Sequence, residues 1–378
     1  MLNRPQKSRS RSRTTGKKKW HDEYNVPSMG CSICPEYKIC GGLRVSKPLF
    51  WCLDHCCGDP KSCDAVCRNN PNFVDHVREI GGFDLNSVPR APVLEKSTIA
   101  RVVPLIFHGI SRELALKTQA VALPFARMFD RRTGQARFTS RSDLCEAFKI
   151  DPSTTIILSG TDSDPPIENW WQIGRDNRLG VVRVLRDLDV VLATSPNYSV
   201  FVDQPRWDNL HSMKRIGIVQ SEMLNEGLQV ALHVNGRTET DFQRWTEYIR
   251  SRPEIQILAY EFATGTGWIG RREVHLEWLT KLASEVGRPL DLVVRGGIEL
   301  IPALTSVFSQ VTFIDTSAFM RAMKRRRAIL TEGGKLLWRA APTEIGAPLD
   351  ELLNDNVVNV TTWIRSQFPA SQQEKLIA

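Results

Sequence analysis

The sequence predicts an α/β fold, a (β/α)8-like parallel barrel preceded by a cysteine-rich metal module, on three observations. Short apolar, β-branched runs recur beyond residue 100, amphipathic helical patterns separate most of them, and eight of the nine cysteines fall between Cys31 and Cys67. Strands alternating with helices imply parallel pairing through right-handed crossovers, so the choice lies between a closed barrel and an open doubly wound sheet. Eight candidate strands favour the barrel.

The chain begins with a basic arm. Residues 1–20 hold Arg4, Lys7, Arg9, Arg11, Arg13, Lys17, Lys18 and Lys19 without one acid, a composition that predicts disorder. The net charge of +8 resides there, because the other 42 basic residues balance 42 acidic ones. Such an arm gains from counterion release on a phosphate backbone, which makes nucleic acid a candidate partner; the plainer reading is a solubilising tail. The arm lacks an apolar stretch with a cleavage site, and no later run reaches membrane-spanning length. The expectation is a cytoplasmic protein with no membrane partner.

Residues 21–92 form the cysteine-rich module, in which Cys31, Cys34, Cys40, Cys52, Cys56, Cys57, Cys63 and Cys67 lie in the order C-x2-C-x5-C-x11-C-x3-CC-x5-C-x3-C. A reducing compartment, and a chain long enough to bury its own core, argue for metal over disulfides. Thiolates are soft, charged donors, closely spaced pairs close small chelate loops, and Gly41 and Gly42 let backbone approach a ligand. Zinc sites more often repeat the C-x2-C knuckle, which occurs once here, so the spacing tilts toward a 4Fe–4S cluster with zinc as the alternative. His55 can replace one of the adjacent Cys56 and Cys57 as a ligand. The segment resembles the auxiliary-cluster region of radical-SAM maturases, split by an insertion after Cys40; the C-x3-C-x2-C triad of radical chemistry is absent.

The barrel is expected over residues 93–345, with strands at 102–108, 120–125, 154–160, 190–194, 229–234, 255–261, 290–295 and 311–315. The second comes too soon after the first for a crossover helix, so closure is expected to be irregular there. Helices are expected at 207–226, 241–250, 272–286 and 298–309. In the second of these Phe242, Trp245 and Ile249 share a face, and the third carries Glu273 in its first turn with Gly287 and Pro289 beyond its end. The basic cluster Arg321, Lys324, Arg325, Arg326 and Arg327 is placed on a helix after the last strand, either touching a nucleic-acid backbone or forming a solvated face. Residues 346–378 supply a closing helix at 349–368, striped by Leu349, Leu352, Leu353, Val360, Trp363 and Ile364.

In parallel α/β folds the loops after the strand C-termini build the active site, and here those ends are polar. They supply Asp162, Glu261 and Asp315 as candidate general bases or nucleophiles, and His233 as a proton shuttle. Arg295 and Arg237 are candidate anion clamps, and Asn197 and Asn235 candidate orienting donors. Each has a plainer role available: Asp162 and Asp164 as turn residues, His233 as a satisfied histidine, Arg295 as an ion-pair partner. Gly265 and Gly267 open a G-x-G-x-x-G run between an apolar strand and a helix, the context of a phosphate-binding turn. Trp268 is bulky for a pyrophosphate grip, and the next strand ends in Arg295 instead of an acid, so a single phosphate fits better than a dinucleotide.

The run Thr194-Ser195-Pro196-Asn197-Tyr198-Ser199-Val200-Phe201, continued by Asp203, Pro205 and a helix carrying His211, Lys214 and Arg215, resembles an uncharacterised family of bacterial and phage proteins, domain of unknown function 4417. The likeness spans roughly residues 154–315, with Ser195 inserted and the cysteine segment added. It implies a fold and a bacterial or mobile-element origin but no reaction. A barrel with a cysteine metal site is also similar, at the level of fold, to tRNA-guanine transglycosylases and their DNA-acting relatives, which implies an aspartate nucleophile at Asp162 or Asp315.

Two functions are compatible with these features. The first is a metal-cluster-bearing barrel enzyme, a transferase or hydrolase working through carboxylates on a nucleic acid or a nucleotide-like phosphate. The second is a non-catalytic DNA-binding protein of a plasmid or phage system with a structural metal site.

Overall fold

The computed structural model describes residues 73–200, 206–263 and 271–370, with a two-residue antiparallel pairing of Val26–Pro27 with Arg44–Val45. The basic arm, the eight cysteines of the module, and Gly265 and Gly267 lie outside the described residues. After helix α1 (Phe73–Glu79) come eight strands: β1 (Val102–Pro104), β2 (Ala120–Pro124), β3 (Thr155–Ser159), β4 (Val190–Thr194), β5 (Val230–His233), β6 (Ile257–Glu261), β7 (Asp291–Arg295) and β8 (Gln310–Asp315). Each lies within or within one residue of a stretch expected from the sequence. They form one parallel sheet in the order β1-β8-β7-β6-β5-β4-β3-β2.

The sheet curls into a nearly closed barrel whose seam lies between β1 and β2. A single parallel bridge, Leu105 with Ala122, joins those strands, with Ile106 N–H donating to the Ala122 carbonyl at 2.9 Å. The seam is thin for the reason the spacing suggests: residues 105–119 connect the two strands without a helix. Inside the barrel Val103, Leu105, Ala120, Ala122, Ile157, Leu192, Ala231, Ile257, Ala259, Val293 and Ile314 form their own small core. Alternate side chains, such as Val121, Ile156, Leu158, Leu258 and Val294, face the helices in a second and larger one. Four alanines among the interior residues match the narrow space there.

The helical layer comprises α2 (Arg141–Phe148), α3 (Asp164–Gln172), α4 (Arg175–Asp187), α5 (Arg206–Asn225), α6 (Glu239–Arg250), α7 (Arg271–Val286), α8 (Ile301–Thr305) and α9 (Ser317–Met323). Helix α6 begins with a capping box, in which Thr238 accepts from Asp241 N–H and Asp241 accepts in return from Thr238 N–H. The helix expected over 298–309 is shorter than its apolar pattern suggests: a 3-10 turn at Ile298–Leu300 precedes α8, and Pro302, lacking an N–H, stands in the first turn of the new helix. Helix α10 (Asp350–Arg365) packs on β1, and its Asp350 accepts from Glu113 N–H at 2.9 Å and pairs with buried Arg112 at 3.6 Å. The C-terminal helix thus covers the strand that lacks a crossover helix of its own.

Two features differ from the sequence expectation. Residues 80–92, assigned above to the cysteine module, pack with the barrel: Ile80, Phe83, Leu85 and Val88 join the large core. Lys214 donates to Asp84 O and Ser87 Oγ, and Ser221 Oγ to Pro89 O at 2.8 Å, so this strap lies across α5. Secondly, the basic cluster is not helical throughout. Helix α9 stops at Met323, Arg325 takes the left-handed φ of 51°, and Arg326 and Arg327 begin an antiparallel hairpin of β9 (Arg326–Leu330) and β10 (Leu336–Ala340). The turn residue Gly334, with φ of +72°, sits between two apolar runs, which is the local signal for that hairpin.

Candidate functional site

The rim formed by the strand C-termini carries a connected line of polar groups. His233 ends β5, Glu261 ends β6 and Arg295 ends β7, while Thr161 stands two residues beyond β3. Their side chains meet because these residues continue the inward-facing alternation of each strand to its last position. His233 Nε2 lies 3.4 Å from Thr161 Oγ1, Arg295 Nη1 donates to the Thr161 carbonyl at 3.5 Å, and Arg295 Nε is 2.5 Å from Glu261 Oε2.

His233 has a fixed tautomer. Its Nδ1 faces the carbonyl oxygen of Ser195, which can only accept, so Nδ1 carries the proton and Nε2 presents a lone pair toward Thr161. Ser195, wholly buried at the end of β4, also accepts from His233 N–H through its hydroxyl at 2.9 Å. Burial lowers the imidazole pKa to about 4, with nearby Arg295 acting in the same direction and the hydrogen bond to Ser195 opposing. A neutral base with its acceptor nitrogen aimed at a hydroxyl is therefore built into the rim. Beside it, burial pushes the Glu261 carboxyl upward while Arg295 and the Ala263 N–H, at 2.7 Å, oppose the shift.

The other two carboxylates are differently placed. Asp315 is buried, but its oxygens accept from Ser317 N–H at 2.9 Å, Ser317 Oγ at 2.6 Å and Ala318 N–H at 2.9 Å, so it caps the start of α9. Asp162 is exposed and accepts from Ser163 N–H at 2.7 Å, a turn residue at the edge of the site. Asn235 donates to Asn197 Oδ1 at 2.9 Å and to Tyr198 O at 3.0 Å, tying the β4 and β5 loops together. Arg237 reaches back to the Val200 carbonyl through Nε and contributes to the positive field at His275, with Arg271. Residues Thr161 and Ser195, which hold His233, were not among the candidates read from the sequence; isolated hydroxyls in loops give no pattern.

Gly160 belongs to the site for a steric reason. A Cβ there would stand 2.4 Å from Thr194 O and 2.5 Å from Ser195 O, so only glycine lets β3 and β4 approach closely enough to bring Thr161 to His233. No family model, curated protein or solved structure matches the chain.

Among the described residues no group of three or more His, Cys, Asp or Glu side chains is arranged to hold a metal ion. No described helix is long and apolar enough to cross a membrane. A cavity of about 900 Å³ lies away from the rim, on the outer face between the strap at residues 79–90 and helices α3 to α5. Its principal charges are already paired, with Arg178 holding Glu222 through two hydrogen bonds of 2.8 Å. The rim, where an imidazole acceptor nitrogen, a hydroxyl and an arginine converge, is the better candidate for chemistry.

Proposed function

We propose that the chain is a barrel enzyme catalysing transfer or hydrolysis on a nucleic acid or nucleotide-like phosphate substrate at this rim. The observation that carries the reading is the line His233–Thr161–Arg295–Glu261 across the ends of β3, β5, β6 and β7. His233 Nε2 accepts a proton from a substrate hydroxyl or water bound where Thr161 Oγ1 now points, and Arg295, oriented by Glu261, holds the anionic group. Glu261 is the one of the three carboxylates within this line; Asp315 serves α9 and Asp162 borders the opening. In this reading the eight cysteines form an accessory metal module, a 4Fe–4S cluster or zinc, outside the barrel chemistry.

The test has two parts. Metal analysis and an optical spectrum of anaerobically purified protein identify the module: a broad band near ~400 nm is expected for iron–sulfur, and stoichiometric zinc with no band replaces that assignment. Turnover is then measured on nucleoside phosphates and short RNA and DNA. Substituting His233→Asn and Glu261→Gln should each lower kcat by roughly 100-fold or more with the fold intact. If both folded variants turn over at the wild-type rate, the rim is not the site of chemistry.

A further inference from the structure

We propose that the β9–β10 hairpin is a nucleic-acid docking ribbon that contacts the phosphate backbone of a duplex. The first support is charge. Residues 321–339 carry seven basic side chains, Arg321, Lys324, Arg325, Arg326, Arg327, Lys335 and Arg339, against the single acid Glu332. Beyond the first 19 residues the chain is otherwise acidic, with 35 basic residues against 41 acidic ones outside this segment. The hairpin is therefore a positive island on an acidic body, and a solvated face in a balanced protein needs no such segregation.

The second support is how those cations are used. Three of them fix the ribbon: Arg327 pairs with Asp355 and with Glu351, Arg325 donates to Met323 O at 2.9 Å, and Arg321 sits 5.4 Å over the Trp338 ring. Buried Asn356 of α10 completes the anchorage, accepting from Ala328 N–H at 2.7 Å and donating to Arg326 O at 2.9 Å. The other four, Lys324, Arg326, Lys335 and Arg339, are exposed and, among the described residues, have no ion-pair partner. Charges that are ordered by their backbone yet unspent on the protein are what a phosphate backbone neutralises with release of its counterions.

The third support is shape. A five-residue, two-stranded ribbon is about 16 Å long, and a ribbon of two antiparallel strands fits the major groove of B-form DNA. Its register sets Arg327 opposite Arg339, and Ile329 opposite Leu337, which is 45% exposed, so one ribbon face offers both a cation and an apolar contact. This surface is separate from the rim residues and shares with the rim reading only the phosphate chemistry of the partner.

The test is fluorescence anisotropy of a labelled duplex DNA of arbitrary sequence with the full chain, titrated at several salt concentrations, beside the same chain carrying Lys324→Gln, Arg326→Gln, Lys335→Gln and Arg339→Gln. The wild type should bind with strong salt dependence. The quadruple variant should lose about 3 to 4 from the slope of log K against log salt, and at least about tenfold in affinity at moderate salt. The pair Lys335→Gln with Arg339→Gln, both on the Leu337 face of the ribbon and expected to give about half of that slope change, replaces the quadruple variant if that one fails to fold. Absence of wild-type binding, an unchanged variant, or stronger binding to vesicles of anionic phospholipid than to the duplex overturns the proposal. Duplex binding without turnover on any nucleotide leaves the ribbon standing and removes the rim reading; turnover with unaltered binding in the variant does the reverse.

Discussion

Acidification should destabilise this protein through His233, by an amount the structure sets. The imidazole is 4% exposed, donates through Nδ1 to Ser195 O, and is held by burial at a pKa of about 4 against an ordinary value of 6.5. Below pH ~6.5 the unfolded chain takes up a proton on this residue while the folded chain does not until near pH ~4, so protonation favours unfolding across that window. The stability is present in full above pH ~6.5 and is lost as the pH falls, by about 2 kcal/mol between pH ~7 and ~5 and about 3 kcal/mol once both states are protonated. The comparison is with His233→Asn, whose amide can still donate to Ser195 O but does not titrate. Urea unfolding of both proteins at pH ~7, ~6 and ~5 should show the wild type losing about 2 kcal/mol more than the variant. His275, which burial and then Arg237 and Arg271 lower to about 3, adds its own loss equally to both proteins and cancels. Parallel losses in wild type and variant would refute the argument that His233 is a buried neutral base. In the enzyme reading the same shift places the acid limb of the rate profile well below that of an ordinary histidine.

The packing sets two further outcomes. Arg178→Met should cost about 3 kcal/mol, the low end for a severed buried ion pair, because Arg175, 3.7 Å from Glu222 and largely exposed, can partly replace the lost partner; adding Glu222→Met should recover most of the loss in a thermal or urea measurement. Gly160→Ala should cost about 2 kcal/mol or more and slow any rim activity, since its Cβ collides with the fixed carbonyls of Thr194 and Ser195, and urea unfolding with a turnover assay reads both effects.

The barrel was legible because its strands are short β-branched runs with polar ends, and that pattern survives without any knowledge of tertiary context. The seam was legible too: only eleven residues separate the stretches expected at 102–108 and 120–125, short of the roughly dozen or more a crossover helix needs, and the observed closure is one bridge. The end of helix α9 was not, although Gly334 between two apolar runs marks the hairpin turn itself. Helix α9 and the arginines after it read as one amphipathic stretch, since helix propensity is high for Arg, Lys, Met and Ala, and the break depends on Arg325 adopting a positive φ that no local pattern announces. Helix α5 hid a second surprise. Lys214 is buried in a helix covered on nearly every side, and residues 84 and 87, far earlier in the chain, supply its hydrogen-bond acceptors.

The candidate site shows the same division between residue type and residue role. Sequence could propose that Glu261, Asp315 and His233 sit at strand ends, because strand periodicity fixes those positions. Strand periodicity alone does not say which carboxylate is spent. Asp315 differs from Glu261 in the residues that come next in the chain: Ser317 and the N–H of Ala318 turn back onto its oxygens as α9 begins, whereas Glu261 extends toward Arg295 on the next strand. Capping is decided by the two residues after the acid and by where the helix starts, so the Asp-Thr-Ser sequence at residues 315–317 was in principle readable as a helix cap. Pairing across strands depends instead on sheet register: Glu261 stands opposite Arg295 in the β6–β7 ladder. The β4–β5 register likewise explains why His233 lies near Thr161. Ala193 pairs with Val230, Gly160 permits the close approach of the neighbouring loop, and the imidazole of the last β5 residue then reaches across β4 to the hydroxyl beyond β3. A base poised in this way is a consequence of three parallel strands meeting in one register, and shifting β5 by a single residue would point His233 out toward the helices.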